Sequence, residues 1–235
     1  MAFPARCLLY HGTALVLLNS LIAPRTAIAF VSLLFGPFAV SAGNLVDIKS
    51  IDPTIEVELR YATARNLAGR PLYPPDMPAL LQPSVAAKLA VAQSQLQVRG
   101  FRLKIWDAYR PKAAHDQLWQ ILPNTAFVAN PAGGTGSLHT WGVAVDATLV
   151  YENGHAVEMP TDFDEFTPAA MLRYTGTNGS VRGHLRTLQS AMARAGFYGL
   201  RTEWWHFIAK DWQKYRPIDA VKTAPSAMNG QDSLP

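Results

Sequence analysis

The sequence of 235 residues contains a single cysteine, Cys7, so the chain that follows it has no internal disulfide bond available. An apolar core must therefore stabilise the fold, and a content of 49% hydrophobic residues suits one globular domain. The sequence also lacks any run of five or more lysines and arginines, and its net charge is only +4. These two features do not indicate a nucleic-acid partner.

Residues 1–42 contain no acidic residue and are typical of a secretory leader. Scattered basic residues at Arg6 and Arg25 accompany an apolar run that closes on small residues. We expect cleavage after Ala42, a mature chain that begins near Gly43, and a periplasmic or secreted location. The alternative is a retained membrane anchor. Because both apolar stretches of the leader fall short of the ~20 residues that span a bilayer, we expect no stable membrane span after its removal.

From Val46 onward the pattern predicts an α+β fold, a small antiparallel central sheet flanked by helices. We expect one domain over residues 43–215 and a polar tail without regular structure over 216–235. Alternating apolar residues predict strands at 51–63, 101–109 and 199–209. Apolar residues at helical spacing predict helices at 84–100, 112–122 and 180–196. Residues 142–159 predict a β-hairpin, because Asn153-Gly154 favours a tight turn with positive φ.

The segment "SLHTWGVAVD" places His139 and Asp146 seven residues apart in an apolar stretch. A buried carboxylate without a partner is strongly disfavoured, so Asp146 requires a cation. In one extended strand the two side chains would be too far apart to share an ion. A bend at Gly142 would let His139 come from a loop and Asp146 from the next strand. The alternative is a surface histidine and a core acid that is satisfied elsewhere.

A second segment, "EWWH", adds Glu203 and His206. A catalytic zinc site holds three protein ligands and leaves one position for water, and His139, Asp146 and His206 would make such a set. Glu203 would then act as the general base. Because Glu203 and His206 are three residues apart, a bulge, twist or strand end must bring them to one side. The alternative is an ordinary aromatic strand with a histidine at its rim.

A third segment, "WDAYRP", ends a predicted strand in Arg110. A guanidinium held there can bind an oxyanion or a substrate carboxylate through paired hydrogen bonds. A structural ion pair with Asp107 is the other interpretation of the same arginine.

Taken in order, "WDAYRP", "SLHTWGVAVD" and "EWWH" resemble the zinc D-alanyl-D-alanine dipeptidases of VanX type, whose pattern is Ser-x-His-x(6)-Asp followed by Glu-x-x-His. The resemblance implies a single domain of the zinc D,D-peptidase, hedgehog-like type. It also implies that His139, Asp146 and His206 bind one zinc ion per chain. Glu203 would serve as base and acid, and Arg110 would stabilise the transition state.

The same resemblance implies two substrate-binding residues. Ser137 matches the serine before the first zinc ligand, and Asp164 matches the acid that receives the substrate ammonium group. Asp162 and Glu165 are alternatives for that acid, since they lie in the same loop. Trp141 occupies a position where these dipeptidases often have arginine.

The function implied by the resemblance is hydrolysis of the small dipeptide D-Ala-D-Ala to two D-alanines, by water that Glu203 activates on zinc. One alternative is a zinc D,D-carboxypeptidase that acts on peptidoglycan stem peptides. An iron oxygenase with two histidine ligands and one carboxylate ligand is a more distant alternative. The His-x-Asp/Glu spacing typical of those enzymes is absent from this sequence. A non-catalytic zinc domain would leave Glu203 and Arg110 without a role.

Overall fold

A five-stranded sheet forms the centre of the computed structural model, which describes residues 45–218. The described strands are β1 (Val46–Asp47), β2 (Glu56–Val57), β3 (Leu80–Leu81), β4 (Phe101–Asp107), β5 (Ala144–Tyr151), β6 (Phe197–Leu200) and β7 (Glu203–Ala209). The central sheet has the order β2-β4-β5-β7-β6, whereas β1 and β3 form a small antiparallel pair. Within the central sheet β2 and β4 run parallel, and the other neighbouring strands run antiparallel.

Two long helices cover the sheet and contact each other. The described α-helices are α1 (Ile48–Ile51), α2 (Pro83–Gln97), α3 (Lys112–Ile121) and α4 (Gly179–Arg194). Proline at the first position of α2 needs no hydrogen-bond partner for its nitrogen, and Asn178 caps α4 by accepting from two backbone N–H groups. The α+β class and the three predicted helices are confirmed.

The predicted strand at 51–63 is wrong over most of its length, because only Glu56–Val57 pairs with β4. The carboxylate of Asp52 accepts from the backbone N–H of Thr54, which turns the chain just before the sheet. After β2 the chain leaves the sheet edge in a 3₁₀ turn over Arg60–Ala62. Ile55 and Leu59, on either side of this short strand, are buried, whereas Val57 within it is only half-buried.

The predicted hairpin at 142–159 forms its first strand and its turn, but its second arm is not a strand. Gly154 has φ +84°, as the Asn-Gly turn requires, and only the bridge between Val150 and Ala156 follows it. Strand β4 pairs with β5 as far as Tyr151, and β7 pairs with the other edge at its start. The returning arm therefore pairs only at the far end of β5.

The predicted strand at 199–209 is two strands, β6 and β7, joined by a turn at Arg201 and Thr202. The break makes Glu203 the first residue of β7. An irregularity in the β6–β7 register lies between Gly199 and Leu200, directly opposite this strand start.

The described residues contain no helix that is both long enough and apolar enough to cross a membrane. The expected leader at 1–42, its cleavage after Ala42 and the tail beyond Ile218 lie outside the described residues.

Candidate metal centre and catalytic cavity

Three acid and imidazole side chains come from neighbouring strands at one level of the sheet. Asp107 of β4 lies opposite Asp146 of β5, and Asp146 lies opposite His206 of β7. Residues that pair across adjacent strands point to the same face, so strand register alone brings these side chains together.

His139 reaches the same point from a 3₁₀ turn over Leu138–Trp141 that precedes β5. Gly142 ends this turn with φ +67°, a conformation that strongly favours glycine. A side chain at position 142 would also approach Leu45 to 2.8 Å. The bend that the sequence predicts at Gly142 is therefore present.

The possible ligand atoms of His139, Asp146 and His206, one from each residue, all lie within 4.8 Å of one another. The Nε2 of His139 is 3.1 Å from the Nδ1 of His206, which is 2.8 Å from the Asp146 Oδ1. The Asp146 Oδ2 is 3.4 Å from the Nε2 of His139. Two donors on a tetrahedral zinc ion would be about 3.3 Å apart, so the three side chains fit the ion.

The tautomer of His139 is fixed by a backbone carbonyl. Its Nδ1–H donates to the oxygen of Ala108 at 2.7 Å, because a carbonyl can only accept. The Nε2 then carries a free electron pair directed at Asp146 and His206. Such an outer hydrogen bond is common for histidines that bind metals. Burial disfavours the charged form of Asp146, but the two imidazoles outweigh it and lower the pKa of this carboxyl well below its usual value.

Glu203 lies beside this cluster and not within it. Its Oε2 is 4.0 Å from the Nδ1 of His206, and the side chain is buried. Burial raises the pKa of Glu203 to about 8, although His206 lowers it in part. The strand start and the register irregularity are the features that allow two residues three apart to share one side.

Arg110 forms the ion pair with Asp107 that its sequence context suggests, and it also lines the cavity of the candidate site. Its guanidinium makes a paired contact with the Asp107 Oδ2, through Nε at 2.9 Å and Nη2 at 2.8 Å. The same Nη2 is 3.7 Å from the Asp146 Oδ2. The ion pair with Asp107 thus holds Arg110 at the edge of the candidate metal centre.

Of the three acids in the 162–165 loop, only Asp164 lines the cavity that contains this centre. Its Oδ2 accepts from the backbone N–H of Leu67 at 2.9 Å, and its Oδ1 accepts from the Tyr61 hydroxyl at 3.3 Å. Burial raises the pKa of Asp164 to about 7. Asp162 pairs with Arg60 instead, at 3.1 Å.

One cavity of about 480 Å³ brings the predicted site residues together. It is lined by all seven of them: Arg110, Ser137, His139, Asp146, Asp164, Glu203 and His206. Trp141 does not line the cavity. Its indole N–H donates to the carbonyl of Thr135, and its ring packs edge-on against Trp212.

Tyr61, Tyr73 and Asp107 also belong to the site, although the sequence indicates only an ion-pair role for Asp107 and no role for the two tyrosines. Asp107 is fully buried and accepts from the Tyr73 hydroxyl at 2.8 Å. The ring of Tyr61 lies 4.8 Å from the guanidinium carbon of Arg110. Asp107 could be recognised in the sequence because it is an acid three residues before Arg110, whereas the tyrosines join the site only through tertiary packing.

Removing the Asp107 carboxylate should destabilise the protein strongly. In Asp107→Ala the guanidinium of Arg110 loses its paired contact in the interior, which should lower the free energy of unfolding by about 3–5 kcal/mol. Tyr73→Phe removes one hydrogen bond to the same carboxylate and should cost about 1 kcal/mol. Urea denaturation of both variants measures the difference, and equal losses would contradict this role of Asp107.

Comparisons with known proteins relate this chain to D-alanyl-D-alanine dipeptidases. Residues 41–223 match the Peptidase M15 family, described as D-ala-D-ala dipeptidase. The D-alanyl-D-alanine dipeptidase of Escherichia coli (strain K12) is 36% identical over 164 residues, which cover 70% of this chain and 83% of that protein. The corresponding dipeptidase of Enterococcus faecium is 27% identical over 172 residues, covering 66% and 85%.

Among solved structures, the chain matches the vancomycin resistance D,D-pentapeptidase VanY in complex with Zn(II), with a TM-score of 0.38 and 14% identity. That match covers 59% of this chain and 77% of the other. The family match, which spans most of the chain, and the relative from Escherichia coli place the protein in the Peptidase M15 family of D-ala-D-ala dipeptidases.

Proposed function

We propose that this protein is a zinc-dependent dipeptidase that hydrolyses D-Ala-D-Ala to two molecules of D-alanine. The observation that carries the proposal is the cavity of about 480 Å³ that brings six side chains together. Three of them could hold a metal ion, and the other three are Glu203, Arg110 and the half-buried Asp164. The family relationship supports the same substrate class.

His139, Asp146 and His206 would hold the zinc ion. Two imidazoles and one carboxylate are the ligand types found in catalytic zinc sites, and their spacing fits the ion. Zinc held there would polarise the scissile carbonyl and make water more acidic. Each histidine would contribute one ring nitrogen to the ion, and the backbone carbonyl of Ala108 holds the ring of His139 in place.

Glu203 moves the proton. Its carboxylate takes a proton from the water that attacks the carbonyl carbon, and then donates it to the nitrogen of the leaving D-alanine. One water is consumed, and the peptide C–N bond is the bond that breaks. A carboxyl pKa raised by burial suits this exchange, because a group that both takes and gives a proton works best when its pKa is near the working pH.

Arg110 stabilises the negative charge that develops on the carbonyl oxygen. Asp107 fixes its guanidinium by two contacts, so the arginine is already oriented before substrate binds. Donors fixed in advance lower the barrier because they need no reorganisation during the reaction.

Asp164 receives the free ammonium group of the dipeptide. The carboxylate faces the cavity and is held by the hydroxyl of Tyr61 and the backbone N–H of Leu67. A substrate whose amine is acylated would leave this carboxylate without a cationic partner in a largely buried place. The site therefore selects a free dipeptide over a longer peptide with the same end.

Loss of Glu203 and loss of a zinc ligand should have different effects. Glu203→Ala should retain one zinc ion per chain but lower kcat by about 10²–10⁴, as expected for removal of a general acid and base. His206→Ala should lose both the metal and the activity, because two ligands hold zinc poorly. Metal analysis of the purified variants, together with turnover of D-Ala-D-Ala, measures both effects. Comparable zinc loss in the two variants would contradict the assignment of Glu203 as the base and His206 as a zinc ligand.

Substrate length provides the second test. We expect D-Ala-D-Ala to be cleaved much faster than its N-acetyl derivative or a stem pentapeptide with the same C-terminal pair. Asp164→Ala should narrow this preference by at least about tenfold, since a desolvated charge pair contributes several kcal/mol. Steady-state kinetics on the three substrates measures the preference. Equal rates on the free and blocked substrates would favour a D,D-carboxypeptidase.

The location of the enzyme belongs to the same proposal. We propose that residues 1–42 direct export and that the mature enzyme acts in the periplasm or outside the cell, near peptidoglycan. The leader-like composition of these residues supports export. N-terminal sequencing of the protein from the exported fraction should begin at or near Gly43. Intact Met1 on protein from the cytoplasm would contradict export.

A further inference from the structure

The backbone at Asp164 adopts an uncommon conformation. Asp164 has φ +59° and is the one residue other than glycine with positive φ in the part of the chain described. A positive φ is uncommon for residues other than glycine, so contacts with the surrounding structure must stabilise this backbone conformation at Asp164. The question is which contacts keep the carboxylate of Asp164 directed into the cavity.

Arg60 contacts the same loop at Asp162, two residues before Asp164. Its Nη2 is 3.1 Å from the Oδ1 of Asp162, and its Nε is 3.2 Å from the Oε1 of Glu58. The guanidinium carbon also lies 4.9 Å from the ring centre of Trp106. The side chain of Arg60 is only 5% exposed, so its position is set by these partners and not by solvent.

Tyr61, the next residue, holds the other end of the segment. Its hydroxyl donates to Asp164, and its ring packs edge-on against Phe163 with centroids 5.3 Å apart. Phe163 also packs against Trp106 at 5.6 Å. The pair Arg60-Tyr61 thus contacts all three residues of the 162–164 segment, alternately by charge and by packing.

A simpler role for Arg60 would be to neutralise Glu58. Glu58 already has Arg65 at 2.9 Å and Lys104 at 3.3 Å. Among the described residues, by contrast, Arg60 is the only cation paired with Asp162. Among the described residues, Asp162 therefore depends on Arg60 for its ion pair, whereas Glu58 does not.

We infer that Arg60 is a positioning residue for substrate recognition. By binding Asp162 it holds the 162–164 segment in the conformation that turns the Asp164 carboxylate toward the cavity. Arg60 thereby sets the preference for a substrate with a free amino group, although it lines no part of the cavity itself. This inference rests on the proposed dipeptidase function.

The test compares Arg60→Met and Asp162→Ala with Arg65→Met as the matched control. Arg65 also contacts Glu58, but it is 60% exposed and does not touch Asp162. Arg60→Met and Asp162→Ala should raise KM for D-Ala-D-Ala about 10- to 100-fold, the scale expected when a binding group moves by about 1 Å. The kcat value and the zinc content should change little, and the residual rate on N-acetyl-D-Ala-D-Ala should stay as in the wild type. Arg65→Met should match the wild type.

Asp162→Ala and Arg60→Lys test the same role if Arg60→Met folds poorly. Asp162 is 57% exposed, so Asp162→Ala should fold and still show the rise in KM. Arg60→Lys, which retains the charge, should recover part of the lost affinity. An unchanged KM in Asp162→Ala, or equal losses on the free and blocked dipeptides, would overturn the role of Arg60. Failure of the wild type to cleave D-Ala-D-Ala would instead reject the proposed function.

Discussion

The site depends on one fully buried carboxylate, that of Asp107. It makes a paired contact with Arg110, accepts from the Tyr73 hydroxyl and lies 3.5 Å from the Nδ1 of His139. A guanidinium in the interior is stable only when its charge and its donors are matched, and Asp107 supplies that match. Because Asp107 also lies opposite Asp146 in the sheet, the strand register places Arg110 against the candidate metal centre.

Three carboxyl groups line the cavity, whereas one buried arginine does so among the described residues. Asp146, Asp164 and Glu203 line it, and Arg110 is the one buried cation among the described residues that do so. Burial is the main cause that raises the pKa of Asp164 and of Glu203, and the charge of Asp146 adds to it. Such a site favours ligands that bring positive charge. A zinc ion and a substrate ammonium group, the two cations of the proposed reaction, would each supply it.

The sequence could indicate the candidate site residues but not the network that holds them. His139, Asp146, Glu203 and His206 stand in short motifs, so their types and spacing were informative on their own. Tyr61 and Arg60 lie more than 100 residues from the loop that they contact, and nothing in local spacing indicates such a pairing. The choice of Asp164 over Asp162 likewise depended on the direction of each side chain, which backbone conformation decides.

The error in the predicted strand at 199–209 is also informative about the site. A continuous strand over 199–209 would direct Glu203 and His206 to opposite faces of the sheet. The chain instead turns at Arg201 and Thr202, so that Glu203 begins β7 beside the register irregularity. The side chain is then free to lie on the same side as His206 and yet 4.0 Å from its Nδ1. Breaking the strand places Glu203 close to the candidate metal centre but outside the cluster of three possible ligands, a separation that suits the role of base proposed for it.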